Sequence, residues 1–103
     1  MATSEVRHVL FDKDEVAMAI RNYCGKSGHH LPAHAVFTVD GGANPYVLVS
    51  SGRAKGAVAS FSGEALIAPL ILHCSKKRIP LPIVGIKGVA MVDDQLALLI
   101  KMR

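Results

Sequence analysis

The sequence predicts an α+β domain made of two tandem β-α-β-β repeats of about 50 residues each, forming one pseudo-twofold domain with six strands and two helices. Residues 61–103 align with residues 11–53 at a constant offset of fifty positions, without a gap. Each copy begins with a short run of β-branched and aromatic residues, which indicates a strand. Apolar residues then recur every four positions, which indicates a helix. Such self-similarity is typical of one folding unit used twice. Identical residues at this offset are Phe11 and Phe61, Cys24 and Cys74, Lys26 and Lys76, Leu31-Pro32 and Leu81-Pro82, Val39 and Val89, and Leu48 and Leu98.

The length of 103 residues bounds the chain to a single domain. Within it, repeat one spans residues 6–50, a linker spans residues 50–56, and repeat two spans residues 57–101. We expect the six strands either to form one mixed sheet that both helices cover, or to close into a pseudo-twofold barrel.

The first copy begins with a predicted strand over residues 6–11, where β-branched and aromatic residues are frequent. Asp12 is a good helix N-cap, and the acidic residues after it suit the positive end of the helix dipole. An apolar stripe then runs from Val16 to Cys24 at intervals of four residues, which predicts an amphipathic helix. We expect Gly25 and Gly28 to end this helix.

Two further strands, over residues 35–39 and 46–49, are joined by turn residues and complete the first copy. Pro69 lies about two turns into the second helix, where it removes a backbone hydrogen bond, so we predict a kink. The elements predicted for the second copy are a strand over 57–61, Ser62 as helix cap, a helix from Glu64 to about Lys76, a strand over 86–92, a turn at Asp93-Asp94 and a strand over 96–101.

The second helix is apolar on every face between residues 65 and 72. A helix of this kind is buried all round. Two arrangements would achieve this: an interface with a second copy of the chain, or a position between the sheets of the two repeats. The side chains assigned to such an interface are Leu66, Ile67, Leu70, Ile71 and Leu72.

The overall composition favours self-association. Half of the residues are hydrophobic and 19% are charged, and the mean hydropathy is +0.34. A small core cannot readily hide this much apolar surface, so we expect a homodimer. No window approaches eighteen uninterrupted apolar residues, and the first residues lack a signal-peptide pattern, which predicts a cytoplasmic protein that does not enter a membrane.

Charge is divided unevenly between the two copies. Residues 1–50 carry four Lys and Arg against five Asp and Glu, whereas residues 51–103 carry eight against three. A basic face on repeat two would bind nucleic-acid phosphates or an acidic protein. Because the chain has no Trp and few other aromatic residues, single-strand binding by base stacking is disfavoured. The residues assigned to the basic face are Arg53, Lys55, Lys76, Lys77, Arg78 and Lys87.

A histidine cluster after the first helix is the candidate metal site. His29, His30 and His34, with Cys24 nearby in sequence, would offer the ligand types that zinc prefers. The spacing matches no established zinc motif, so the alternative is three solvated loop residues. Cys24 and its counterpart Cys74 continue apolar stripes, and we interpret both as small buried hydrophobic residues.

No catalytic constellation is visible, because no serine or cysteine has a base and an orienting partner at a readable spacing. We therefore expect a non-enzymatic protein without a cofactor. Three functions remain open: nucleic-acid binding through the basic face, protein–protein assembly through the apolar second helix, and metal binding at the histidine cluster.

Overall fold

The computed structural model describes residues 5–28, 31–32, 34–41, 44–51, 57–82 and 85–102. Strands and helices follow in the order β-α-β-β twice, which confirms the predicted fold class. The elements are β1 (Glu5–Phe11), α1 (Lys13–Lys26), β2 (Ala35–Asp40), β3 (Tyr46–Ser51), β4 (Ala57–Ser62), α2 (Glu64–Lys76), β5 (Ile86–Val92) and β6 (Gln95–Met102).

The described strands form two separate antiparallel sheets of three strands, neither a single mixed sheet nor a closed barrel. Sheet A has the order β1-β6-β5, and sheet B has the order β2-β3-β4. Each sheet therefore joins the hairpin of one repeat to the first strand of the other repeat. Helix α1 therefore connects a strand of sheet A, β1, to a strand of sheet B, β2.

The constant offset of fifty positions fails in the last strand of the repeat. Leu98 is fully buried in β6, whereas Leu48 on β3 is 36% exposed and its neighbour Val49 is buried. The hairpin loops explain the difference, since five residues separate β2 from β3 but only Asp93 and Asp94 separate β5 from β6. Because side chains alternate along a strand, a shift of one residue exchanges the inner and outer faces.

The two helices begin in different ways. Asp12 caps α1 in a capping box, in which its carboxylate accepts the N–H of Glu15 at 2.8 Å and the Glu15 carboxylate accepts the N–H of Asp12 at 3.2 Å. The predicted cap at Ser62 is wrong, because β4 continues through Ser62 and Gly63 is the N-cap of α2 without a side-chain hydrogen bond. Gly63 adopts φ 52°, a conformation that glycine tolerates without strain. Helix α2 then runs through Pro69 to its end.

Both helices pack against each other and against strands of both sheets. Helix α2 contacts β4 of sheet B and β5 of sheet A. Ala65 and Ala68 are exposed, so the helix is not buried all round within this chain. In the described part of the chain, no helix is long and apolar enough to span a lipid bilayer. The buried core consists of Phe11, Val16, Ala19, Ile20, Cys24, Val47, Val49, Leu66, Leu70, Cys74, Leu96, Leu98 and Ile100.

Candidate interaction surface

Three consecutive exposed cations lie at the C-terminal end of α2, and we call them the basic cluster: Lys76, Lys77 and Arg78. The backbone here forms a Schellman motif, in which the N–H of Ile79 donates to the carbonyl of Cys74 at 2.8 Å and the N–H of Arg78 donates to that of Ser75 at 3.2 Å. The motif requires a left-handed residue just after the helix C-cap, and Arg78 at this position has φ 57°. The corresponding residue after α1 is Gly28, with φ 80°.

An apolar groove of about 540 Å³ lies between the C-terminal parts of α1 and α2, and we call it the helical groove. Its apolar wall comes from α2, and Ser75 at its end precedes the basic cluster directly in the chain. Lys26, which is exposed in the last turn of α1, brings a further cation to the groove. The lining residues are Tyr23, Lys26, Ser27, Ala68, Ile71, Leu72 and Ser75.

The residues predicted for one basic face do not gather around this groove. Lys87 is half-buried and lines a different cavity of about 380 Å³, at the start of α2 beside Gly63 and Glu64. The length of α2, 13 residues, separates it from the basic cluster by roughly 19 Å. Arg53 and Lys55 lie outside the described residues.

The predicted interface on α2 divides in a similar way. Leu66 and Leu70 are fully buried in the core of this chain, so they present no surface to a partner. Ile67 and Ile71 are partly buried and pack against that core. Of the five residues, Ile71 and Leu72 line the helical groove.

The predicted metal site is only partly covered by the structure. His34 is exposed just before β2, while His29 and His30 lie outside the described residues. Among the residues that are described, no three His, Cys, Asp or Glu side chains are grouped closely enough to hold a metal ion.

A buried histidine lies on α2, where the sequence predicts only an ordinary packed or half-exposed residue. His73 is 1% exposed, and its Nε2 atom lies 3.5 Å from Oε2 of Glu15 on α1, at the outer limit of hydrogen-bond distance. Its ring packs edge-on against Phe11, with centroids 5.8 Å apart. Burial of His73 can be inferred from the sequence, because position 73 lies on the same helical stripe as Leu66 and Leu70.

The two cysteine thiols are free and buried, at 5% exposure for Cys24 and 0% for Cys74. Burial raises the pKa of the Cys24 thiol. For Cys74, burial raises the pKa first, and the negative charge of Glu15 raises it further. Both thiols are therefore poor nucleophiles at neutral pH, because the thiolate is the reactive form.

No protein-family model matches the chain, and no curated protein or solved structure is significantly similar to it.

Proposed function

We propose that this protein is a non-enzymatic interaction module that binds an acidic partner protein through the helical groove and the basic cluster. The observation that supports this proposal is the position of an apolar groove directly before a run of exposed cations. A groove of this form suits an amphipathic helix, whose apolar face enters the groove while its acidic residues meet the surrounding cations.

The conformation of Arg78 adds support. A left-handed backbone costs a non-glycine residue roughly 1–2 kcal/mol, and the first copy of the repeat has Gly28 at the corresponding position. Residues held in such conformations concentrate at functional sites. We infer that arginine is retained here for its side chain, which a partner would contact.

Nucleic-acid binding is the second candidate, and the three adjacent exposed cations of the basic cluster favour it. Phosphate backbones bind such clusters through charge and counterion release. Two features favour the protein partner instead. The apolar wall formed by Ile71 and Leu72 has no counterpart in a phosphate backbone, and Lys87 lies at the opposite end of α2.

The test uses a fluorescein-labelled helical peptide of about 18 residues, with leucines at positions i, i+3, i+4 and i+7 and glutamates elsewhere. We expect fluorescence anisotropy to give a dissociation constant of about 1–100 μM. Leu72→Asp should weaken binding at least about tenfold, because it places a charge on the apolar wall. Lys77→Ala should weaken it about threefold and reduce its dependence on salt.

The matched control is Met18→Asp, which introduces the same charge at a 45% exposed apolar position of α1 that does not line the groove. This variant should bind the peptide as the wild type does. A gel-shift titration against mixed DNA and RNA at two ionic strengths tests the alternative, nucleic-acid binding. The partner would be nucleic acid if the chain does not bind the peptide but shifts DNA or RNA at low salt. Lys77→Ala should then weaken the shift, and Leu72→Asp should leave it unchanged.

A further inference from the structure

The outer face of sheet A, which points away from both helices, is mostly apolar. The register places Leu10, Ala97 and Ala90 in one row on this face. The next row consists of His8, which is exposed, Leu99 and Gly88. At its margins, Ile86 is 73% exposed, Val6 49% and Leu10 44%. The apolar residues that form the face are Val6, Leu10, Ile86, Ala90, Ala97 and Leu99.

The equivalent face of sheet B is more polar, so the fold itself does not require a mostly apolar outer face. Thr38, Asp40, Ser50 and Ser60 lie on it beside the exposed Val36 and Leu48. Ser60 is the repeat counterpart of Leu10, fifty positions later. The outer faces of the two sheets are therefore suited to different surroundings.

The central strand of sheet A has the sequence of a strand that is covered on both faces. Residues 96–100 of β6 read Leu-Ala-Leu-Leu-Ile, without the alternation that a half-exposed strand shows. In β3, the central strand of sheet B, the apolar run is shorter and ends at Val49, before Ser50 and Ser51. Sheet A already has the core on one face, so this pattern indicates a second covering layer on the other.

The accessible surface of the chain is larger than that of a typical monomer. The chain exposes 6846 Å² at a mass of 10.9 kDa, whereas a folded monomer of this mass exposes about 5,600 Å². The excess exceeds the roughly 800 Å² that one partner contributes to an interface of standard size.

We propose that a second copy of this chain covers the outer face of sheet A, so that two sheets A pack face to face in a homodimer. A twofold interface must be complementary to itself. This face meets that condition, because Leu99 lies beside Gly88, which is half-buried and leaves room for a leucine of the other copy. Lys101 lies in the end row of the sheet, where its ammonium group can reach water at the rim of the interface.

The experiment is sedimentation equilibrium on the full chain between about 1 and about 200 μM, where a dimer of ordinary affinity dissociates measurably. Leu10→Glu should weaken dimerisation about a hundredfold or more, because each interface then buries two unpaired carboxylates. Ser60→Glu places the same charge at the repeat counterpart on sheet B and should leave the dimer intact. Leu10→Ser, which introduces the residue already present at that counterpart, should weaken the dimer at least about tenfold without a buried charge.

Circular dichroism checks that each variant is folded, and peptide binding at the helical groove should survive Leu10→Glu. A wild-type chain that stays monomeric over the whole concentration range would overturn the proposal. Equal weakening by Ser60→Glu and Leu10→Glu would overturn it as well. Dissociation by Leu72→Asp but not by Leu10→Glu would instead place the second copy on the helices.

Discussion

Glu15 of α1 lies against His73 of α2, so its carboxylate connects the two helices. The same carboxylate also meets the backbone N–H of Asp12 at the start of α1. Oε1 of Glu15 accepts the N–H of Asp12 at 3.2 Å, which closes the capping box of α1. Oε2 of the same carboxylate lies 3.5 Å from Nε2 of His73, a contact too long to count as a strong hydrogen bond. Among the described residues, Nε2 has no hydrogen-bond partner.

This relationship predicts that His73→Leu is neutral or stabilises the fold by about 1 kcal/mol, because a buried polar atom without a good partner costs free energy. Glu15→Ala should instead destabilise it by about 1 kcal/mol through loss of the capping box. Urea unfolding of both variants measures the two effects. A loss of more than about 3 kcal/mol in His73→Leu would mean that the imidazole forms a strong bond in solution.

The strained residue of the basic cluster gives a second prediction. Arg78→Gly should stabilise the chain by about 1 kcal/mol, because glycine adopts the left-handed conformation without a steric cost. The same change should weaken binding of the acidic peptide, since it removes a cation from the binding surface. Thermal unfolding and fluorescence anisotropy measure the two effects.

Arg78→Ala is the matched control, because it removes the guanidinium and keeps a side chain in the left-handed position. It should weaken peptide binding as much as Arg78→Gly does, but it should not stabilise the fold. If both variants bind the peptide like the wild type, the side chain of Arg78 has no part in binding.

Local patterns determined the secondary structure, which explains why the sequence predicted both helices and all six strands near their observed positions. Periodicity and capping chemistry act over a few residues, as at Asp12 and along the stripe that ends at Cys24. The division into two sheets depends on which distant strands pair, and no local pattern records that β1 pairs with β6. The failed alignment of Leu48 with Leu98 has a different, local origin, since hairpin loops of different length shift the register.

The candidate surface was predictable in part. The sequence indicated that residues 76–78 form a dense group of cations, and all three are exposed. It could not show that Lys87 lies at the other end of α2, because closeness in sequence says little about distance across a sheet. Nor could it show that Leu66 and Leu70 face the core while Leu72 lines a groove, since residues 65–72 are apolar on every face.

Alkaline pH should destabilise the fold through the two buried thiols. Their pKa values are raised in the folded state, so the folded chain holds these protons more tightly than the unfolded chain does. Their contribution to stability is therefore fully present below the unfolded pKa of about 8.5 and is lost as pH rises through the folded pKa values. The slope approaches about 1.4 kcal/mol per pH unit for each thiol.

Urea unfolding between about pH 7.5 and about pH 10 under reducing conditions measures this effect. In the double variant Cys24→Ala and Cys74→Ala, the free energy of unfolding should fall less steeply with pH than in the wild type. Other groups that titrate in this range are common to both proteins and cancel in the comparison. Parallel curves for the two proteins would show that the thiols do not contribute.

The exchange of first strands between the repeats predicts that the chain tolerates circular permutation. Glu5 of β1 pairs with Met102 of β6, so the two ends of the fold lie on neighbouring strands. A short loop can join them, as residues 52–56 join β3 to β4. A chain that is joined there and opened between residues 54 and 55 reads β4-α2-β5-β6-β1-α1-β2-β3, which is again β-α-β-β twice. We expect it to fold with a stability within about 2 kcal/mol of the wild type, because every strand keeps its neighbours and only loop closure changes.

A control opened after Leu70, inside α2, should not fold, because it interrupts a buried helix of the core. Circular dichroism and urea unfolding compare the two permutants, and an unfolded chain in the first case would show that the two halves are not equivalent folding units.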